Sequence, residues 1–371
     1  MIENIKKSYI KSKEKFNDVD KSPHWEKIIN KKKFDNLEDL ENFRNNALSY
    51  GHDDSEYYDK ERFDKEIELI IDKIGEKYLY ENLKKKNIGN LKNTFLFKDI
   101  SIDPGDIHLI NFLFELDKYV FNHLNVKTIC EIGGGYGGLA EKIINKYQTK
   151  YILIDLPETN ILSTYYLYKN FPEKKFLIYS DLVNDEINNK HLSQHDIIIL
   201  PPNVTFKDVN IELFINTRSM MEMRMSTIIK YFELINNHIT DNGFFFNVNR
   251  YIKFRAGEPI FLKDYPYDNN WKIINSSKSF NQDWIHQIIA QREINANYNN
   301  LKIELKKIEK ETKKYLQPDE YRYLDKNYFK KKNLAINLIK KFLYIFGKKI
   351  FGKNYNKFKQ IIYKLINKIS F

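Results

Sequence analysis

The chain has 371 residues, of which 42% are hydrophobic, 15% aromatic and 30% charged, and its formal net charge is +11 at pH 7. This length exceeds the usual size of one domain, so we expect a catalytic domain with additional segments. The single cysteine, Cys130, excludes a disulfide within the chain and favours a reducing cytoplasm. No window approaches the roughly twenty uninterrupted apolar residues of a spanning helix, and the first residues lack the apolar stretch of a secretory signal.

The excess of positive charge lies at the C-terminal end. Residues 330–371 hold 12 Lys, no Arg, and no Asp or Glu. Removing these lysines from the 61 basic residues leaves 49, against 50 acidic residues, so the rest of the chain is close to neutral. The net charge is therefore a property of the tail, and we do not expect a nucleic acid as the main partner.

The first 92 residues predict a helical, charge-rich region with few strand signals. Apolar residues recur at helical spacing over residues 64–86. Ser22 and Pro23 predict a helix start, with the serine as cap and the proline in the first turn. In the polar loop further on, His52 is followed by two aspartates. This loop suits either a catalytic or substrate contact or a solvated turn whose aspartate caps the next helix.

The stretch Thr128–Gly138 predicts a buried strand that runs into a glycine-rich turn and then a helix. Such a turn lets the backbone adopt positive φ and approach a ligand at the helix N-terminus. Gly133, Gly135 and Gly138 match the pattern G-x-G-x-x-G of dinucleotide-binding folds. The glycines alone therefore fit more than one class of nucleotide cofactor.

Two acids accompany the glycine loop. Glu131 stands two residues before Gly133, where a carboxylate would repel a pyrophosphate group. Asp155 ends the next predicted strand, residues 150–155, where an acid can take both hydroxyls of a ribose. Glu131 therefore disfavours NAD, whereas Asp155 fits either class of cofactor.

The C-terminal part of the catalytic domain alternates strands with one long helix. Together with residues 126–132 and 150–155, seven strands are predicted, the others being 176–179, 196–200, 243–250, 271–274 and 284–290. Residues 214–232 are predicted as a helix, in which Glu222 lies one turn after Arg218 on the same face. This pair suits either a substrate-side wall or a structural salt bridge. Asn249 and Arg250 end the fifth strand at the carboxyl edge, where open α/β sheets bind ligands.

These motifs together resemble a known group of enzymes. The acid-x-Gly-x-Gly-x-Gly arrangement of Glu131–Gly137 resembles the first motif of class I S-adenosylmethionine-dependent methyltransferases. Combined with Ile154–Pro157 and Asn216–Met223, it resembles the sugar O-methyltransferase family of bacterial surface-polysaccharide loci, over residues 93–292. The resemblance implies a Rossmann-like α/β fold with a mostly parallel sheet, between an N-terminal helical region and a C-terminal helical tail.

The resemblance also implies roles for individual residues. The cofactor would be S-adenosylmethionine, bound by Glu131, Gly133, Gly135, Tyr136, Gly137, Asp155 and Asp181. For Asp181, which follows the third strand, a helix cap is the alternative. The acceptor would be a sugar hydroxyl on a nucleotide-linked, lipid-linked or polymeric glycan, contacted by Asn216, Arg218, Asn249 and Arg250.

Methyl transfer to a hydroxyl asks mainly for its orientation and for removal of its proton. Glu222 is our first choice for the general base, and His52 and His286 are weaker candidates. The eight histidines are dispersed, so we assign no metal ligands.

Residues 293–371 are predicted as a helical, Lys-rich tail. From residue 351 onward, one helical face is apolar and another carries lysines. Such a helix suits an anionic membrane surface, which would hold the protein on the inner face of the cytoplasmic membrane. It suits equally well packing on the protein body or docking to a glycosyltransferase.

Three other functions stay open at this point. An RNA methyltransferase with a basic tail would lose affinity for its substrate at raised salt. An NAD-dependent oxidoreductase is disfavoured by Glu131. A non-catalytic scaffold is disfavoured because Glu131, the glycines and Asp155 are all intact.

Overall fold

The computed structural model describes residues 2–15, 21–29, 37–45, 59–83, 86–202, 204–254, 256–294, 296–298 and 300–312. The helices of these residues are α1 Ile2–Lys15, α2 Pro23–Ile29, α3 Leu37–Glu41, α4 Lys60–Ile74, α5 Glu76–Glu81, α6 Pro104–Leu116, α7 Gly138–Lys146, α8 Pro157–Asn170, α9 Asn189–Gln194, α10 Met225–His238 and α11 Asn300–Thr312. Short 3₁₀ helices lie at Tyr179–Asp181, Met220–Glu222 and Leu262–Asp264, and a π-helix at Asp117–Phe121 continues α6.

The strands of the described residues form one large sheet and three small ones. They are β1 Phe95–Phe97, β2 Ile100–Ile102, β3 Thr128–Ile132, β4 Lys150–Ile154, β5 Phe176–Ile178, β6 Glu186–Asn188, β7 Ile197–Leu200, β8 Thr205–Lys207, β9 Ile211–Thr217, β10 Ile239–Arg250, β11 Ile252–Lys253, β12 Ile260–Phe261, β13 Trp271–Lys278 and β14 Ile285–Arg292. β1 pairs with β2, β6 with β8, and β11 with β12.

The body of the protein is an eight-stranded sheet with the strand order β13-β14-β10-β9-β3-β4-β7-β5. β14 runs antiparallel to both of its neighbours, and all other pairs in this sheet are parallel. The central strands β3, β4 and β7 are buried, mostly apolar runs, as expected where helices cover both faces of a sheet. The predicted Rossmann-like α/β fold with a mainly parallel sheet is therefore confirmed.

The prediction of seven strands is wrong by one. The eighth strand is β9, most of which the sequence assigned to the helix 214–232. β9 pairs with β3 and β10 and is buried on both faces, so its apolar run matches a helix as well as a strand. Arg218 ends the strand with a φ of 62°, and α10 begins only at Met225.

β7 lies between β4 and β5, and this placement sets the neighbours of the glycine loop. β3, the strand before the glycine loop, has β4 on one side and β9 on the other. The carboxyl ends of β4, β3, β9 and β10 therefore lie side by side in that order. Side chains that follow these four strands are the ones that can reach a ligand on the glycine loop.

Alternating side chains of the sheet enter two apolar layers. Ile129 and Leu213 face the layer under α6, α7 and α8, whereas Cys130 and Phe214 face the layer under α10 and α11. Segments outside the predicted catalytic domain join these layers through buried residues, namely Ile5, Leu40, Phe43, Leu301 and Ile308. The boundaries after residues 92 and 292 stay predictions, and the flanking segments share the core of the domain that they flank.

Two predicted features lie outside the described residues. One is His52, and the other is the Lys-rich part of the tail within residues 313–371. The catalytic role of His52 and the contact of the tail with a membrane or partner therefore stay predictions. Among the helices that the structure describes, none is both long and apolar enough to cross a membrane.

A buried histidine joins β14 to the elements that pack on it. His286 is 5% exposed, and its Nδ1 lies 2.9 Å from the Tyr251 hydroxyl oxygen. Its Nε2 lies 2.7 Å from the hydroxyl oxygen of Ser276, which donates to Glu304 of α11 at 2.9 Å. Burial lowers the pKa of His286 to about 4, so the imidazole is neutral at pH 7 and has a structural role.

We expect the protein to lose stability as the pH falls from about 6.5 towards 4. The unfolded chain binds a proton at His286 in this range, whereas the folded protein does not, so the contribution is complete above pH 6.5 and declines below it. The difference between the pKa values of His286 in the unfolded and folded states limits its contribution to the free energy of unfolding to roughly 3 kcal/mol. Urea denaturation at pH 7.5 and pH 5 should show a smaller loss for His286→Gln than for the wild type. An equal loss in both proteins would contradict this assignment.

Candidate functional site

The glycine loop between β3 and α7 has a backbone that glycine adopts at little cost. Gly133, Gly135 and Gly137 have φ values of 74°, 59° and 89°. The N–H of Gly133 donates to the Ile154 carbonyl at 2.7 Å, which ties the loop to β4. A Cβ on Gly133 would lie 1.9 Å from the Ser219 hydroxyl oxygen, whereas a Cβ on Gly135 would meet no atom within 4 Å. The loop is therefore packed on its β9 side and open at Gly135.

Two carboxylates lie at this loop. Glu131 is 1% exposed, and its Oε2 accepts a hydrogen bond of 2.7 Å from the Tyr151 hydroxyl. Asp155 accepts the N–H groups of Gly135 and Leu156 at 2.8 and 2.7 Å, so it fixes the open point of the loop. Burial raises the pKa of both carboxyls to about 7, and the charge of Asp155 adds to the shift of Glu131. This pair therefore favours the binding of a cation.

Tyr136 points into the protein. Its ring is 4% exposed and lies 4.9 Å from the ring of Tyr166 and 5.8 Å from that of Phe43, measured between centroids. The Arg44 guanidinium lies 5.4 Å from the centre of the Tyr136 ring and pairs with Asp103. The ring therefore anchors the glycine loop to the N-terminal region. Because the Tyr136 side chain is buried, only the backbone of this residue remains to make the predicted contact with the cofactor.

Asp181 lies away from the glycine loop. It is exposed at the end of β5, where its carboxylate accepts the Ile178 N–H at 3.3 Å and the Ser180 hydroxyl at 3.1 Å. Because β7 separates β5 from β4, the place beside Asp155 is taken by Leu200 at the end of β7. Asp181 thus caps the short helix after the outer strand, which is the alternative that the sequence left open, and its contact with the cofactor stays a prediction.

Asn216 and Asn249 are fully buried. The Asn216 amide donates to the Ile132 carbonyl at 2.8 Å and to the Ser219 hydroxyl at 2.5 Å. Asn249 donates to the Asn216 oxygen at 2.8 Å and accepts the Met221 N–H at 2.9 Å. These bonds hold the turn after β9 against β3. They also occupy the polar atoms that the predicted acceptor contacts would need, so the structure gives both residues a positioning role.

Asn216→Ala should lower the free energy of unfolding by about 2–4 kcal/mol, because it leaves several buried polar groups without partners. Asn210→Ala is the matched control, since Asn210 is exposed just before β9, and it should change stability by less than about 0.5 kcal/mol. Urea denaturation of the three proteins measures both values. Equal stability of Asn216→Ala and Asn210→Ala would show that the network does not hold the turn.

Arg218 and Glu222 do not share a helical face, so that prediction is wrong. The chain between β9 and α10 is a turn with one short 3₁₀ helix. The Arg218 guanidinium donates to the side-chain oxygen of Gln282 at 2.6 Å, in the hairpin between β13 and β14. Glu222 Oε1 lies 2.6 Å from Lys253 Nζ and 3.6 Å from His24 Nε2. Separate contacts therefore replace the expected salt bridge between the two residues.

Glu222 is an ionised carboxylate with cationic neighbours. Burial alone would raise the pKa of Glu222, but the positive charges of Lys253 and Arg250, together with that of His24 when it is protonated, outweigh this effect and hold the pKa below its usual range. A carboxylate of this kind accepts a proton less readily than an unpaired one. Its role as a general base stays a prediction, and a weaker one than the sequence indicated.

Three residues of this site were missed by the sequence analysis. Lys253 is 3% exposed beside Glu222, while Lys21 lies 3.5 Å from Glu158 at the start of α8. His24 belongs to α2, whose start at Pro23 was predicted correctly. No sequence pattern links Lys21 to Glu158 or His24 to Glu222, because more than one hundred positions separate the members of each pair, and Lys253 is 31 positions from Glu222 in a different element. In the part of the chain that the structure describes, no group of three or more His, Cys, Asp or Glu is placed to hold a metal ion.

No protein-family model matches the chain, and no curated protein matches its sequence. Among solved structures, it is similar to an O-methyltransferase family protein from Burkholderia thailandensis, with 10% identity over 51% of this chain and 58% of that one, and a TM-score of 0.35. It is also similar to an S-adenosylmethionine-dependent methyltransferase from Clostridium acetobutylicum, with 12% identity, coverage of 48% and 89%, and a TM-score of 0.32. An rRNA methylase from Streptococcus thermophilus matches at 9% identity, coverage of 49% and 96%, and a TM-score of 0.31.

The chain spans less than two thirds of the Burkholderia protein's own length. Because all three TM-scores are below 0.5, these similarities carry no argument about activity. The strand order and the burial of the strands establish the fold, and the residues of the site are the evidence for a function.

Proposed function

We propose that the protein is an S-adenosylmethionine-dependent methyltransferase that acts on a sugar hydroxyl. The observation that carries this proposal is the pair of acids at the open glycine loop. Glu131 lies in β3, and Asp155 directly follows the adjacent strand β4. A pyrophosphate would add negative charge where burial already raises both pKa values to about 7. A ligand with ammonium and sulfonium groups would favour the ionised carboxylates instead. The site therefore suits S-adenosylmethionine better than NAD.

The residues fit the separate parts of this cofactor. Glu131 would face its cationic methionine part, Asp155 its ribose hydroxyls, and the open side of Gly135 would lie against it. When bound, the cofactor supplies an electrophilic methyl group. The part left to the protein is to hold the acceptor hydroxyl in line and to remove its proton.

The sugar acceptor rests on two supports. Asn216–Met223, the segment that resembles the sugar O-methyltransferase family, begins in the last residues of β9, the strand beside β3 and its glycine loop. Polar pairs lie at this segment, namely Arg218–Gln282 and Lys253–Glu222, and such groups suit hydroxyl-rich ligands. The acceptor in this proposal is a nucleotide-linked, lipid-linked or polymeric glycan of a bacterial surface polysaccharide, methylated on the cytoplasmic side. A contact of the tail with the inner membrane face or a glycosyltransferase belongs to the same proposal.

Incubation with methyl-labelled S-adenosylmethionine and a panel of nucleotide sugars and glycans should place label on a sugar hydroxyl. Gly135→Arg should abolish transfer and S-adenosylhomocysteine binding, because the new side chain fills the open side of the loop. Gly75→Arg is the matched control. Gly75 also has positive φ, and a Cβ added to it would meet no atom within 4 Å, but it lies between α4 and α5.

Full binding and transfer by Gly135→Arg would contradict the placement of the cofactor on this loop. Labelling of RNA in place of every sugar acceptor would overturn the acceptor class and favour the RNA methyltransferase alternative. Loss of binding in Gly75→Arg as well would show that the arginine acts through folding.

The affinity for S-adenosylhomocysteine should rise about tenfold between pH 6 and pH 8. A carboxyl whose pKa is about 7 is roughly one tenth ionised at pH 6 and nine tenths ionised at pH 8, and only the ionised form attracts the ligand's ammonium group. Calorimetric titration of Glu131→Gln should show weaker binding and a flatter pH dependence. Glu212→Gln, at the opposite end of β9, is the control. A wild-type affinity that is constant from pH 6 to pH 8 would contradict this role of Glu131.

A further inference from the structure

The segment Lys21–Trp25 crosses the carboxyl edge of the sheet, and we call it the roof segment. Lys21 lies 3.5 Å from Glu158, which follows β4, and His24 lies 3.6 Å from Glu222, which follows β9. The strand between β4 and β9 is β3, which carries the glycine loop. Lys21 and Ser22 precede α2 and His24 lies in its first turn, so the two contacts join this short segment to residues on either side of the glycine loop.

Two contacts hold the roof segment. Lys21 is 7% exposed and Glu158 is 1% exposed, so this ion pair is almost fully removed from water. In the middle of the segment, Pro23 lies so close to Gly257 that a Cβ on that glycine would lie 3.0 Å from a Pro23 carbon. The roof segment is therefore held to α8 and to the loop between β11 and β12.

At the acceptor end of the roof segment, three side chains form a row. Lys253 contacts Glu222 at 2.6 Å, and Glu222 in turn lies 3.6 Å from the His24 ring nitrogen Nε2. The turn that carries Glu222 begins at Ser219, which touches the glycine loop at Gly133. The imidazole of His24 thus lies against the turn that touches the glycine loop.

We propose that His24 is the general base for the acceptor hydroxyl, and that Glu222 is the positioning residue that orients its imidazole. This inference rests on the proposed function. His24 takes the hydroxyl proton while the oxygen forms its bond to the methyl carbon. The carbon–sulfur bond breaks and leaves its electron pair on sulfur, so the positive charge passes from sulfonium to imidazolium.

The surroundings divide these roles between the two residues. Lys253 keeps Glu222 ionised, which makes Glu222 a poor proton acceptor but a good partner for a developing imidazolium charge. Separations between a base and its orienting carboxylate are often longer before substrate binds and shorten in the complex. The distance of 3.6 Å between His24 and Glu222 is consistent with such a pair.

The first test is the rate of methyl transfer by His24→Asn. Loss of a general base should lower kcat by about 10²- to 10⁴-fold, while the Kd for S-adenosylhomocysteine stays within about twofold. Exogenous imidazole should restore part of the rate of His24→Ala but not that of Glu222→Gln, which should lose about tenfold. His123→Asn is the control, because His123 is exposed in the loop before β3, and it should keep the wild-type rate.

A second readout does not depend on activity. Diethyl pyrocarbonate labelling of the wild type, followed by mass spectrometry, should show His24 protected by S-adenosylhomocysteine plus acceptor, with His123 labelled equally in all samples. Equal labelling of His24 with and without these ligands would contradict its contact with the acceptor.

The outcomes separate the two proposals. If the wild type transfers methyl groups and His24→Asn does so within about threefold of its rate, the role of His24 is overturned while the proposed function stands. If the wild type neither binds S-adenosylhomocysteine nor transfers a methyl group, the proposed function fails, and the role of His24 fails with it.

Discussion

The site depends on the hydrogen bonds that hold the glycine loop between β3 and β4. Gly133 is tied to the Ile154 carbonyl, and Gly135 is tied to the Asp155 carboxylate, so the loop and the end of β4 form one unit. Glycine at these positions permits the positive φ with which the bonds form. A side chain at Gly133 would also collide with Ser219. Without this unit, Glu131 and Asp155 would have no fixed relation to each other or to a ligand.

The side chains around the loop make the site selective for the charge of its ligand. Burial raises the pKa of both acids to about 7, so a cationic ligand beside them would favour their ionised forms. The region around Glu222 has the opposite character, because Lys253 and Arg250 outnumber the single carboxylate of Glu222. The crevice therefore has an acidic half that suits a cationic cofactor and a basic half beneath the roof segment.

The features that depend on local sequence patterns were the ones that could be predicted. The seven strands, the glycine loop and the two acids follow from apolar runs and from residues at fixed short spacings. β9 was missed because a strand buried on both faces has no alternation that separates it from a helix. The separation of Asp181 from Asp155 could not be predicted, because strand order is a property of the whole sheet and not of the chain around residue 181. His24 and Lys253 could not be linked to Glu222, because these contacts join different elements and have no fixed spacing in the sequence.

The central claim is that the glycine loop binds S-adenosylmethionine. Isothermal titration of the wild-type protein at pH 8 with S-adenosylhomocysteine, and in parallel with NADH, tests it most directly. We expect micromolar binding of S-adenosylhomocysteine and no binding of NADH, because Glu131 attracts an ammonium group and repels a pyrophosphate. Preference for NADH, or binding of neither ligand, would contradict the account and return the loop to a dinucleotide-binding or scaffold role.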